Sequence, residues 1–413
     1  MGAVSRAERY RRIISILVDE GFGTAFDQLG LRAPWIASLR REKKPSAEEL
    51  LSPEQRMRET IERLGPTFAK IGQMLSVRRD VVPAPFADEL AKLQDEMEPF
   101  DAAIARDAIE SAFDRPISEL FGSFEDTQVA AASIGQVHRA TLPDGTPVAV
   151  KVQRPGIRDI IEADLDILRT QARRIHGRTE LGRRYDVVGL VDEFSRVLRQ
   201  ECDYLNEAEN AQRFAELFAE DDTVHFPEVY WDWTAPTVLT LGWVEGIPFN
   251  RLDRIDEAGI NRTEIARRGI TSYYEQIFIH GFYHADPHPG NLFAMEDGRV
   301  AFTDFGRAGR LTKEGKAQVG ELLAAIVERD YEMAGDILIE LSSSSADVDA
   351  VGLKRDVGRL IEKYYDLRLH EVATRELLWE VMSLIGKRGL TLDPEFALLL
   401  TTLATIQGLG TQI

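Results

Sequence analysis

The sequence predicts an α+β chain of two lobes with a helical extension in front. Three observations predict it. Strand-type patterning is confined to Phe124–Val152 and to two short stretches, Pro227–Trp231 and Val238–Trp243. Helical spacing dominates before these strands, and after Ile247 it resumes with one hairpin interrupting it. The 413 residues, 44% hydrophobic and 29% charged, suffice for two or three packed units of ordinary globular composition.

In chain order, residues 1–45 carry helical patches between basic clusters: Arg9, Arg11 and Arg12, then Arg40, Arg41, Lys43 and Lys44. Ile13, Ile14, Leu17 and Val18 have helical spacing, which makes a basic amphipathic segment. It can lie on anionic lipid, or pack on the rest of the chain with its basic face in water. Residues 46–120 read as mostly helical, with Ser52-Pro53-Glu54-Gln55 giving an N-cap and a proline at the first helical position. Gln136–Thr141 and Pro147–Val152 flank Pro143-Asp144-Gly145, a strong hairpin signal. A helix over Ile157–Arg178 and one long helix over 187–219 follow, then the two short strands. Trp243-Val244-Glu245-Gly246 connects the lobes, and Ser342–Ser345 reads as a short loop. The expected segments are 1–110, a helical extension; 111–245, a strand-bearing lobe with inserted helices; and 246–413, a helical lobe.

The chemistry sits in His284-Ala285-Asp286-Pro287-His288-Pro289-Gly290-Asn291 and, after a hairpin, Asp304-Phe305-Gly306. An Asp, an Asn five residues on, and Asp-Phe-Gly form the oxygen-donor layout of a kinase-type phosphoryl-transfer site. Magnesium prefers hard donors such as the Asp304 carboxylate and the Asn291 amide oxygen. Asp286 stands where a carboxylate can orient or accept a proton. The bland alternative is a turn-rich loop punctuated by Pro287, Pro289 and Gly290. Upstream, Val148-Ala149-Val150-Lys151 matches the strand whose lysine reaches nucleotide phosphates. Counting back from Val137, the three glycine positions of a phosphate loop hold Ala130, Ala132 and Gly135, with Ser133 and Ile134 between. Glycine serves there for close backbone approach and positive φ, so two alanines should stiffen the loop.

Two further signatures complete a pattern: Lys70-Ile71-Gly72-Gln73, and Glu201-Cys202-Asp203-Tyr204 followed by Glu207-Ala208-Glu209-Asn210. With Ala130-Ala131-Ala132-Ser133 and the Asp286, Asn291 and Asp304 constellation, the chain resembles the UbiB family of atypical kinases, the AarF-like group. The likeness runs from about Leu51 to the end. It implies a bilobal protein-kinase-like fold whose N-terminal helical extension covers the cleft. It implies ATP and Mg²⁺ as cofactors: Lys151 paired with Glu207 at the phosphates, Asn291 and Asp304 on the metal, Asp286 as catalytic-loop carboxylate. Ala130, Ala131, Ala132, Ser133, Gly135 and Val137 would line the nucleotide. Lys70 and Gln73 would cover the cleft, Lys70 meeting Glu201 and Asp203. On one helix Asp203 and Glu207 share a face, so different carboxylates could serve the two lysines.

Composition excludes other classes. A net charge of −19 and a pI near 5.0 argue against nucleic acid as a partner. The single cysteine, Cys202, excludes an intrachain disulfide and points to a reducing compartment. His284 and His288 are four apart, but the intervening prolines argue against a zinc-binding helix. No secretory signal, myristoylation pattern or run of eighteen apolar residues is present. The family likeness implies a cytoplasmic-side protein, associated with a peripheral membrane surface through a C-terminal segment beyond this chain, and a prenyl-lipid or quinone-intermediate ligand. No Ala-Pro-Glu follows Asp304-Phe305-Gly306, and His288 stands where protein kinases carry lysine. Three functions are in play. The first is a Mg²⁺-dependent ATPase tied to isoprenoid-quinone or prenyl-lipid metabolism. The others are a nucleotide-gated lipid-binding scaffold and a kinase of a small molecule or protein.

Overall fold

A computed structural model describes residues 6–20, 51–93, 98–179, 186–344, 349–365 and 374–412. The second basic cluster, Arg40 to Lys44, lies outside the described residues. The chain divides into two compact units. The first holds Met1–Glu98, Ala132–Ile134 and Arg154–Arg199; the second holds Pro99–Ala131, Gly135–Gln153 and Gln200–Ile413.

The first unit is helical. Ser52 caps the helix Pro53–Leu64 through a reciprocal bond with Gln55, as its sequence predicts. Gly65, at φ 100°, turns the chain directly into Pro66–Ser76. A Cβ on Gly72 would stand 2.4 Å from Leu93 Cδ1, so this glycine permits close packing. The helix Arg6–Asp19 buries Ile13 and Ile16 against Leu64 and Ile167, leaving Arg11 and Arg12 exposed. Arg9 grips Asp164 of the helix Ile157–Arg178 bidentately, at 2.6 and 2.7 Å, and donates to the Leu64 carbonyl. Of the two readings open for this segment, the helix takes packing: its apolar face is covered by the chain itself.

In the second unit, Ser123–Ala131, Gly135–Thr141, Pro147–Gln153 and Val238–Gly242 form an antiparallel sheet in that order. Alternation buries Val148, Val150 and Val152 fully against Ala105, Ile109 and Leu120. It therefore turns Lys151, opposite Val137 and Leu239, to the other face. Three expectations are corrected here. Pro227–Trp231 is not a strand: Val229 makes one bridge to Leu241, and Trp231–Trp233 is a 3₁₀ turn. Pro227 has no N–H to continue a ladder. Ser342–Ser344 is a strand, paired with Leu390–Leu392, whose buried leucines hold it despite serine's low strand preference.

The third correction concerns the long helix. It is two helices, Val187–Glu201 and Tyr204–Leu217, because Asp203 has left the helical region and caps the second through Leu205 N–H. Asp203 and Glu207 thus do not share a helix face. The remaining chain is helical around a small sheet, Val224–His225, Val300–Phe302, Leu292–Ala294 and Ile247–Pro248 in that order. Phe282, Phe302, Phe305 and Tyr273 lie fully or almost fully buried at its centre. No helix among the described residues is long and apolar enough to cross a membrane.

Candidate functional site

Lys151, Glu207 and Asp304 come from a strand, a helix and a loop, up to 153 residues apart in sequence, and they meet inside the second unit. Lys151 Nζ donates to both Glu207 oxygens, at 2.8 and 2.9 Å, and reaches Asp304 Oδ2 at 3.5 Å. Glu207 is buried, with 3% of its side chain exposed, whereas the Asp304 side chain is 48% exposed. Burial pushes the Glu207 carboxyl up to about 7; Lys151 opposes this and Asp304 adds to it. Burial works against the Lys151 charge, but Asp304 and Glu207 together hold its ammonium well above the ordinary range. The result is a fixed cation beside a carboxylate still open to water.

The residues around this triad explain its placement. Tyr204 lies fully buried, its ring 5.3 Å from Lys151 Nζ and its hydroxyl without a hydrogen-bond partner. Burial raises its pKa. A Cβ on Gly135 would stand 2.3 Å from the Tyr204 hydroxyl and 2.6 Å from the Val152 carbonyl. This glycine is needed for packing, not for positive φ. Ala130 and Ala131 pair across the hairpin with Val137 and Gln136, and none of Ala130, Ala131, Ala132 and Ser133 has a positive φ. Alanine is therefore compatible with this backbone. The Ser133 hydroxyl is buried on this loop with no partner.

The segment from His284 to Asn291 is tied down by its own side chains. Asn291 Nδ2 donates to Asp286 Oδ2 at 3.1 Å and to its carbonyl at 3.3 Å. The amide nitrogen is thus occupied, and the side-chain oxygen Oδ1 of Asn291 is the atom that would face a metal. His284, fully buried, has Nε2 2.8 Å from the Asp304 carbonyl and accepts the Asp286 N–H at Nδ1. Its own N–H goes to Gln276 on a π-helical turn, Glu275–His280. His288 accepts from Gly290 N–H. Asp304 sits at φ 56°, a left-handed conformation that Asp and Asn tolerate better than most side chains. Among the described residues no three His, Cys, Asp or Glu gather as a metal cage. Mg²⁺ commonly takes one or two carboxylates and completes its shell with phosphate and water. Asp304, 3.5 Å from Lys151, and Asn291, whose main-chain carbonyl takes the Thr303 N–H at 2.9 Å, offer oxygen donors of the kind a magnesium nucleotide takes.

The other expected residues divide between the units. Lys70 and Gln73 lie on Pro66–Ser76 in the first, where Gln73 Nε2 donates to the Leu93 carbonyl at 3.2 Å. Glu201 and Asp203 lie in the second, Glu201 3.9 Å from Arg307 Nε and Asp203 as the helix cap. Sequence reasoning placed Tyr204, His284 and Asn210 inside its motifs but gave none of them a role in the site. Their signal was spacing, since Tyr204 and Asn210 flank Glu207 at three residues on either side. His284 was read as the first residue of its motif and weighed as a zinc ligand; its ring joins the Asp304 carbonyl and the Asp286 N–H.

Comparison with known proteins follows the same lines. The family model described as the ABC1 atypical kinase-like domain matches residues 92–338, and the UbiB helical domain matches 357–413. Two uncharacterised proteins of Synechocystis, sll1770 and slr1919, are each 36% identical, over 86% and 91% of this chain. The Arabidopsis thaliana protein Activity of BC1 complex kinase 7, chloroplastic, is 37% identical over 86% of it. The chain spans 61%, 65% and 51% of these relatives' lengths, respectively. A solved structure of a Mycobacterium tuberculosis protein, Rv3197 in complex with erythromycin, superimposes with a TM-score of 0.58 at 26% identity. That match covers 83% of this chain and 87% of the other.

Proposed function

The chain belongs to the ABC1 atypical kinase-like family, UbiB group, and from that premise we propose that it binds ATP with Mg²⁺ and hydrolyses it. The observation that carries this is the convergence of Lys151, Glu207 and Asp304 within 3.5 Å. Magnesium, when bound, would neutralise charge on the phosphate oxygens. Asn291 and Asp304 would hold it through oxygen. Lys151, kept charged and fixed by Glu207, would receive the phosphates. Asp286, braced by Asn291, would orient a water or an acceptor hydroxyl and take its proton. Ala130, Ala131, Ala132, Ser133, Gly135 and Val137 would border the nucleotide.

The same proposal includes an isoprenoid-quinone or prenyl-lipid connection, and a membrane surface as its place. These parts rest on family likeness. The test is phosphate release with and without anionic liposomes, alongside transfer of labelled phosphate into a cell extract. Mg²⁺-dependent release that disappears in Lys151→Ala supports the ATPase. Tight nucleotide binding with neither release nor transfer would replace it with a nucleotide-gated scaffold. Labelling of a discrete acceptor would make the protein a kinase of that acceptor.

A further inference from the structure

We infer that Asn210 is a positioning residue for the Asp304 carboxylate, an inference that rests on the magnesium-nucleotide reading. Asn210 lies on Tyr204–Leu217, 5% exposed, and its Nδ2 donates to the Phe305 carbonyl at 3.0 Å. One turn earlier, Glu207 accepts the Phe305 backbone N–H. Both main-chain polar groups of Phe305 are therefore held by one helix.

The geometry continues to Asp304. The peptide between Asp304 and Phe305 is gripped from two sides. His284 Nε2 meets the Asp304 carbonyl, and Glu207 takes the Phe305 N–H. Asn210 fixes the next peptide. Phe305 itself is fully buried, its ring 5.7 Å from those of Phe214 and His284. Asp304 is in a left-handed conformation, which persists only where the surroundings hold it. Rotation of either following peptide would swing its carboxylate away from Lys151. An asparagine suits the position because it needs a neutral donor. An aspartate would face a carbonyl, one turn from the Glu207 carboxylate.

Chemically, Glu207 sets the lysine and Asn210 sets the metal carboxylate, so one rigid helix would link the two halves of the site. Loss of Asn210 should harm what depends on Asp304 and spare what does not. ATP binding to the full chain, measured by calorimetry with Mg²⁺ and with EDTA, reads the difference. In Asn210→Ala the Mg²⁺-dependent affinity is expected to fall about tenfold, with affinity in EDTA held within about twofold. Melting temperatures are read in parallel. If the alanine variant does not fold, Asn210→Ser, too short to reach the carbonyl, takes its place with the same expectation. Unchanged Mg²⁺-dependent affinity overturns the inference, and so does an equal loss in both conditions. An unsubstituted chain that binds no ATP with Mg²⁺ refutes the nucleotide reading itself, and this inference with it.

Discussion

Two buried charge clusters, one in each unit, are built from similar parts and end in opposite states. In the first unit Arg9 and Asp164 are 8% and 0% exposed and joined bidentately, with the Leu64 carbonyl taking a further guanidinium bond. In the second, Lys151 and Glu207 are similarly enclosed, but Asp304 beside them is half in water. The first cluster is closed, its polar atoms used up in holding helices together. The second leaves a carboxylate half in water, on a strained backbone, with an unpartnered phenol beside Lys151. That asymmetry separates a closed structural pair from the candidate site better than burial or charge alone.

The comparison can be broken by exchanging its consequences. Asp304→Asn should have the largest effect: loss of Mg²⁺-dependent ATP binding by about a hundredfold or more, because the charge nearest the metal is gone. Calorimetry should show this with the melting temperature almost unchanged; retained affinity would remove the distinction drawn above. Arg9→Ala should do the reverse. It strands Asp164 without its partner and should cost about 3–5 kcal/mol of stability, read by denaturant unfolding, while leaving nucleotide affinity alone.

Two smaller effects sharpen the picture. Gly135→Ala forces a methyl onto the Tyr204 hydroxyl and should cost about 1–3 kcal/mol. Tyr204→Phe in the same chain should recover part of that, since the hydroxyl it removes has no partner. The last concerns pH. Folded Glu207 titrates at about 7 and its exposed counterpart near 4.5, so the folded state binds the proton more tightly between these values. This group's contribution to stability therefore falls as pH rises from 4.5 to 7. Glu207→Gln should flatten the melting-temperature profile across that window; an unaltered slope would place the titration elsewhere.

The sequence carried the fold class and, of the candidate site, the contact between Lys151 and Glu207. Lys151, Asp286, Asn291 and Asp304 were visible because phosphoryl transfer demands those residue types at set spacings, and the pairing of Lys151 with Glu207 is as expected. What stayed hidden was local competition. Asp203 looked like one more residue of a long helix until its side chain took the Leu205 N–H and ended one helix to begin another. Ser342–Ser344 reads as loop by propensity and is a strand only because Leu390–Leu392 pairs with it from far along the chain. Gly135 was assigned to phosphate approach, yet its need is set by Tyr204 and Val152 packed against it. Long-range contacts of this kind leave no mark in the pattern of a single segment.

The left-handed turn at Asp304 has a consequence for genetics. Asparagine is as comfortable in that turn as aspartate, so an Asp304→Asn chain would keep its shape and survive in the cell. Whatever it failed to do would then trace to one missing charge, and its phenotype should differ from that of a deletion.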